Sequence, residues 1–96
     1  MTFDFTSISR AGLTQAEFAN LAKVSRVTVN MWVRGKVAPH RYTEERVGKL
    51  IALTHLATVR THLPVPPEIA RGARMSAIKA ALRATVEESR QASESA

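Results

Sequence analysis

The sequence contains no cysteine. A disulfide framework, a cysteine nucleophile and any thiolate-held zinc or iron–sulfur site are therefore excluded. Asp4 is the only aspartate. No Ser–His–acid spacing points to an activated nucleophile, so no enzymatic activity is expected. His55 and His62 stand seven residues apart. Two imidazoles without a third ligand read as a solvated or packed pair, and neither a metal nor another cofactor is expected. Long apolar runs are also missing. The longest is Leu50-Ile51-Ala52-Leu53, far short of the roughly 20 residues a membrane-spanning helix needs. The first ten residues hold Asp4 and no apolar run, unlike a signal peptide. No membrane partner and a cytoplasmic location are expected.

Acids are the scarcer charge: 8 Asp and Glu stand against 14 Lys and Arg, a net +6 with histidine neutral. Such an excess in 96 residues favours a polyanionic partner, nucleic acid before an anionic membrane surface. The length suits one small domain. Without covalent staples, such a domain is most easily built from helices with local contacts.

Only four Gly and four Pro are present, and they punctuate the chain. Between them apolar residues recur at spacings of three and four, the mark of helices, and no strand is expected. Phe5, Ile8 and Ala11 share a face of a first helix over residues 3–11, closed by Gly12. Thr14 and Glu17 form a capping box opening a second helix, with Phe18, Leu21 and Ala22 inward. After a three-residue turn, Lys23-Val24-Ser25, Ser25 caps a third helix that turns Val29, Trp32 and Val33 to the core and ends at Arg34-Gly35. Thr43 is the expected cap of a fourth helix reaching about His62, with Val47, Leu50, Ile51, Thr54 and Ala57 as its buried stripe. Leu63-Pro64-Val65-Pro66-Pro67 reads as an extended connector. Pro67-Glu68 can open a last helical region, which Gly72 divides. From Glu87 onward the chain is polar and expected to fray. The domain reading is thus residues 1–62 as the main domain, 63–90 as a helical extension and 91–96 as a flexible tail.

The segment from Leu13 to Trp32 matters most. So short a turn cannot return the chain antiparallel, and it crosses its two helices steeply as a helix-turn-helix. Ala19 is small where the helices cross, and Val24 plugs the turn. These residues, with Leu13-Thr14-Gln15, Val24-Ser25, Val29, Trp32, Gly35 and Pro39, resemble the lambda-repressor-like, Cro-type helix-turn-helix regulators of phages and bacteria. The resemblance spans roughly Ile8 to Ala57. It implies an all-α, lambda-repressor-like bundle of about five helices plus the C-terminal helical extension. It also implies binding to double-stranded DNA. One departure is Lys23, where the family usually has glycine. A left-handed conformation there costs a non-glycine residue on the order of 1 kcal/mol.

The residues themselves agree with that partner. Between Glu17 and Glu44 every charged residue is basic: Lys23, Arg26, Arg34, Lys36 and Arg41, with His40 beside them. With Val29 and Trp32 inward, the third helix turns Arg26, Val27, Asn30 and Met31 outward as base readers. Arg26 suits guanine, Asn30 adenine and Val27 a thymine methyl. Thr14, Gln15, Lys23, Ser25, Arg34, Lys36, His40 and Arg41 are the expected phosphate contacts.

Specific binding by such a module usually comes from a two-fold dimer on a palindrome. The candidate interface is the last helix, through Met75, Ile78, Leu82 and Val86. That stripe can equally pack within the chain, on Leu53, Leu56 and Leu63. Three functions compete: a Cro-like repressor acting as a homodimer, an antitoxin-type regulator whose C-terminal half grips a protein partner, and an interaction module without DNA. Arg71, Arg74, Lys79 and Arg83 form a second acid-free run, read first as a solvated helix face, with DNA phosphates or an acidic surface on another protein as the alternatives.

Overall fold

Side chains that cap helices set where the elements begin. In the computed structural model, which describes residues 3–95, α1 spans Thr6–Arg10, α2 Gln15–Ala22, α3 Arg26–Val33, α4 Arg41–Val59 and α5 Arg74–Ser95, with a single 3₁₀ turn at Arg71–Ala73. No strand occurs among the described residues. The protein is all-α; α1 to α4 form the bundle and α5 is the extension. None of its helices is long and apolar enough to cross a membrane among the described residues. Ala96 lies outside the described residues, and α5 continues to Ser95 through the stretch that sequence alone assigned to fraying.

Thr14 and Glu17 form the expected capping box. The Thr14 hydroxyl accepts from the Glu17 N–H at 3.1 Å, and Glu17 Oε1 accepts from the Thr14 N–H at 2.9 Å. Ser25 caps α3 by accepting from the Thr28 N–H at 3.1 Å. The helix ends share one device. After each of α1 to α4, a residue in the left-handed region (Gly12, Lys23, Gly35, Thr61) closes the last turn. In each case the N–H that follows reaches the carbonyl five residues back: Leu13 to Ile8, Val24 to Ala19, Lys36 to Met31 and His62 to Ala57. This pairing satisfies carbonyls that a helix end leaves open.

The core is one cluster. Phe18, Ala19, Ala22, Val29 and Trp32 from the helix-turn-helix meet Val47, Ile51 and Ala57 of α4, then Leu63 and Val65 of the connector, then Ile78 and Leu82 of α5. Burying side chains such as Ile78 and Leu82 contributes about 1.5–3 kcal/mol each. The connector is pressed onto the turn between α1 and α2. A Cβ added at Gly12 would stand 2.5 Å from Pro64 Cβ, so this position has no room for a side chain. Thr54 and Thr85 are buried polar residues within the helices, and each donates its hydroxyl to the carbonyl four residues back, at 2.7 and 2.8 Å.

Four local expectations are corrected. Val33 is 41% exposed rather than inward, because it lies on the flank of the face that Trp32 buries; it borders an open cleft shared with Phe5, Val37 and Pro39. α4 is capped by His40, not Thr43: His40 is extended and its Nδ1 accepts from the Tyr42 N–H at 3.3 Å. Thr43 falls in the first turn and donates its hydroxyl to the His40 carbonyl at 2.9 Å. α4 ends at Val59, short of His62, where the left-handed Thr61 turns the chain. Pro67-Glu68 forms a turn, the Ile69 N–H reaching the Pro66 carbonyl at 3.2 Å, and the helix proper waits until Arg74.

The stripe on α5 resolves inward. Ile78 and Leu82 are buried within the chain's own core and Met75 is half-buried; Val86 alone stands exposed, at 43%. As a dimer surface, Ile78 and Leu82 are therefore replaced by packing against the bundle. Polar contacts close the seam at the end of α4. Glu88 accepts from Arg60 Nη1 at 3.3 Å and pairs with His62 Nε2 at 2.7 Å.

Candidate nucleic-acid interface

The turn between α2 and α3 fixes everything downstream. Lys23 adopts φ 60°, ψ 42°, the conformation in which the family usually has glycine, and its charged side chain stays in solvent. Val24 is half-buried and packs against the core. Arg46, on α4, donates from Nη2 to the Ala22 carbonyl at 2.9 Å, so α4 holds the end of α2 from behind. Val29 and Trp32 lock α3 by its inner face: Val29 is fully buried and Trp32 stacks on Phe5 with ring centroids 6.2 Å apart.

With that face fixed, the outer face of α3 follows. Arg26 is exposed, Val27 is 64% exposed and Met31 lies open beside them. Asn30 differs: it is half-buried, and its Nδ2 donates to Gln15 Oε1 at 3.0 Å. The pair ties the first residue of α2 to the middle of α3. An amide carries two N–H donors and a carbonyl oxygen. The first donor orients the group, and the second donor and the side-chain oxygen of Asn30 enter no other hydrogen bond among the described residues.

Around this face lie the other sequence-chosen residues. Thr14 is exposed, with its hydroxyl already engaged in the capping box. Gln15 is half-buried at the first position of α2. Ser25 is exposed and its hydroxyl meets that of Thr28 at 2.8 Å. Arg34 and Lys36 are exposed beyond α3, and Arg41 is exposed at the first position of α4 rather than in a loop. Among the described residues, none of Lys23, Arg26, Arg34, Lys36 and Arg41 enters an ion pair. Unpaired, solvated cations of one sign are what a polyphosphate surface attracts.

Two features escaped the sequence reading. Tyr42 is 85% exposed and stacks on His40, ring centroids 4.9 Å apart. An aromatic following a basic loop was its only sequence signal. The other feature concerns Glu17, the only acid between Asp4 and Glu44. Arg74, at the start of α5, grips it with two hydrogen bonds, Nε to Oε2 at 2.8 Å and Nη2 to Oε1 at 3.0 Å, and also donates to the Gly12 carbonyl at 2.9 Å. Arg74 therefore leaves the solvated basic run to which spacing assigned it. No local pattern links residues 57 positions apart.

The Arg74 guanidinium holds the Glu17 carboxyl below its ordinary value of 4.5; burial works against this, and the Thr14 N–H reinforces it. A depressed pKa in the folded state stabilises the fold fully above the unfolded value and is lost as pH falls through the folded one. Thermal stability is therefore expected to fall on acidification below about pH 4.5. Glu17→Gln keeps a side chain able to complete the capping box but removes the titration, so its melting temperature should depend less on pH across that window. Circular-dichroism melts from about pH 7 to about pH 3 compare the two; parallel curves would refute the assignment.

The arrangement is that of a helix-turn-helix DNA-binding regulator: two short helices crossed over a tight turn, the second offering an exposed polar face framed by free cations. A family model described as helix-turn-helix matches residues 10–41. Over that segment the chain is similar to the helix-turn-helix family, in line with the lambda-repressor-like, Cro-type resemblance of its residues. No curated protein and no solved structure matches the chain.

Proposed function

We propose that the protein is a cytoplasmic, Cro-like repressor that binds a near-palindromic operator as a homodimer and acts by occluding a promoter. The observation that carries this reading is the outer face of α3, where Arg26, Val27 and Met31 are open and Asn30 is oriented by Gln15. Arg26 reads guanine, Asn30 adenine, and Val27 and Met31 offer apolar surface to a thymine methyl. Thr14, Gln15, Lys23, Ser25, Arg34, Lys36, His40 and Arg41 lie on the phosphates to either side and set the register. Selection of bound sites from random duplexes, followed by footprinting, tests it. The expected product is a near-palindrome with half-site centres about 10 base pairs apart, or a multiple of that. Recovery of no preferred sequence would sink the repressor reading.

A palindrome calls for a second copy. The surface we assign to it is the side of α5 around the exposed Val86, an open groove whose lining also includes Leu53, Arg83, Glu87, Arg90 and the little that Leu82 exposes. Glu87 pairs with Arg90 along the helix at 3.7 Å, whereas Arg83 enters no ion pair among the described residues, so a copy turned about a two-fold axis can set Arg83 against the partner's Glu87 in each direction. Val86→Asp places a charge there while leaving the buried Ile78 and Leu82 in place. It should yield monomers by light scattering while leaving the melting temperature nearly unchanged. An unaltered dimer mass would remove this face from consideration. A protein that is monomeric alone but co-purifies with a tight partner through the same variant-sensitive face would favour the antitoxin-type alternative.

A further inference from the structure

We infer that the start of the C-terminal extension is part of the DNA-binding surface, and that Arg71 contributes a phosphate contact from it. This rests on the reading of the protein as a DNA binder and adds a segment outside the helix-turn-helix to its footprint.

Three observations carry it. First, Arg74 docks the beginning of α5 against the N-terminal turn of α2 through Glu17 and the Gly12 carbonyl. That turn holds Gln15, the residue linked to Asn30 on α3. The extension is thereby fixed beside the proposed phosphate-contacting end of α2. Second, Arg71 opens the 3₁₀ turn Arg71–Ala73, which Arg74 caps at its C-terminal end. In 3₁₀ geometry side chains three residues apart eclipse, and one turn advances only about 6 Å. Arg71 therefore leaves the backbone on the same edge as Arg74, within a long side chain's reach of the same region. Third, Arg71 is exposed and enters no ion pair or side-chain hydrogen bond among the described residues, whereas Arg74 is spent on Glu17. The division of labour follows from charge. Left unpaired, Glu17 would repel phosphates at the mouth of α2. Arg74 neutralises it, and Arg71 supplies the net positive charge.

The experiment measures binding of the full-length chain to a selected duplex and to a random duplex at several salt concentrations. The variants are Arg71→Ala, Lys79→Ala and Lys36→Ala. Arg71→Ala should weaken both duplexes alike and lower the salt slope by about 0.9, so that raising salt from about 50 to about 200 mM costs it about threefold less affinity than it costs the unaltered chain. Lys79→Ala removes the same charge farther along α5 and should leave the slope near that of the unaltered chain. If Arg71→Ala leaves affinity and slope unchanged while Lys36→Ala lowers both, the inference fails and the DNA-binding reading stands. If Lys79→Ala matches Arg71→Ala, the effect is one of net charge and the assigned position is overturned. If the unaltered chain prefers no duplex and shows no salt-dependent binding, both readings fall together.

Discussion

Trp32→Ala should cost about 3–5 kcal/mol, the range for removing a large aromatic from a packed core. Whole small domains are stable by only about 5–15 kcal/mol, so this one change is expected to remove a large share of the protein's stability, and all of it at the low end of that range. The reason is positional. Trp32 is 5% exposed, stacks on Phe5, and with Val29 is what presses α3 onto the bundle. Its loss opens a cavity behind α3, which α1 and α4 cannot fill without shifting α3. Chemical denaturation of the variant against the unaltered chain measures the difference. A midpoint that does not move would place the indole at the surface and reverse the assigned orientation of α3.

Arg26→Ala should cost about 1–3 kcal/mol on the selected site, the worth of a bidentate arginine–guanine contact, and little on random DNA. Lys36→Ala should instead weaken both classes of duplex alike and lower the salt slope by about one. The contrast separates reading from holding. Arg26 is exposed on the first turn of α3 beside Val27, whereas Lys36 stands beyond the helix end. Arg26→Ala is not expected to alter stability, since its guanidinium makes no ion pair among the described residues. If titrations by fluorescence anisotropy show Arg26→Ala losing affinity equally on both duplexes, the arginine is a phosphate contact and specificity lies with Asn30 or its neighbours.

The parts of this architecture written in local spacing were legible without coordinates. Thr14 with Glu17, and Ser25 before Arg26, announce helix starts because a cap is a bond between residues three apart. Val29 and Trp32 announce the inner face because the α-helical period is short. The outward face of α3 follows from them. Where the reading failed, the deciding partner was distant or missing. Val33 lies on the flank of the apolar stripe, but no element covers it. His40 displaced Thr43 as a cap because the loop brings its ring into reach of the Tyr42 N–H. Arg74 looked like one more solvated cation until the connector folded it back onto Glu17. Ile78 and Leu82 fitted either a second copy or the same chain, and only the path of residues 60–73 decides between them.

The left-handed residues at the helix ends carry a last consequence, for how readily this surface can change. At Lys23 and Thr61 a side chain occupies a conformation that costs L-residues about 1–2 kcal/mol. Glycine would remove that strain, and at a positive φ this gain outweighs the extra freedom it gives the unfolded chain. The side chain at position 23 is therefore held against the preference of the backbone, and what it adds is a positive charge beside the turn. Exchanging Lys23 for glycine should remove that charge while the crossing of α2 and α3 stays as it is.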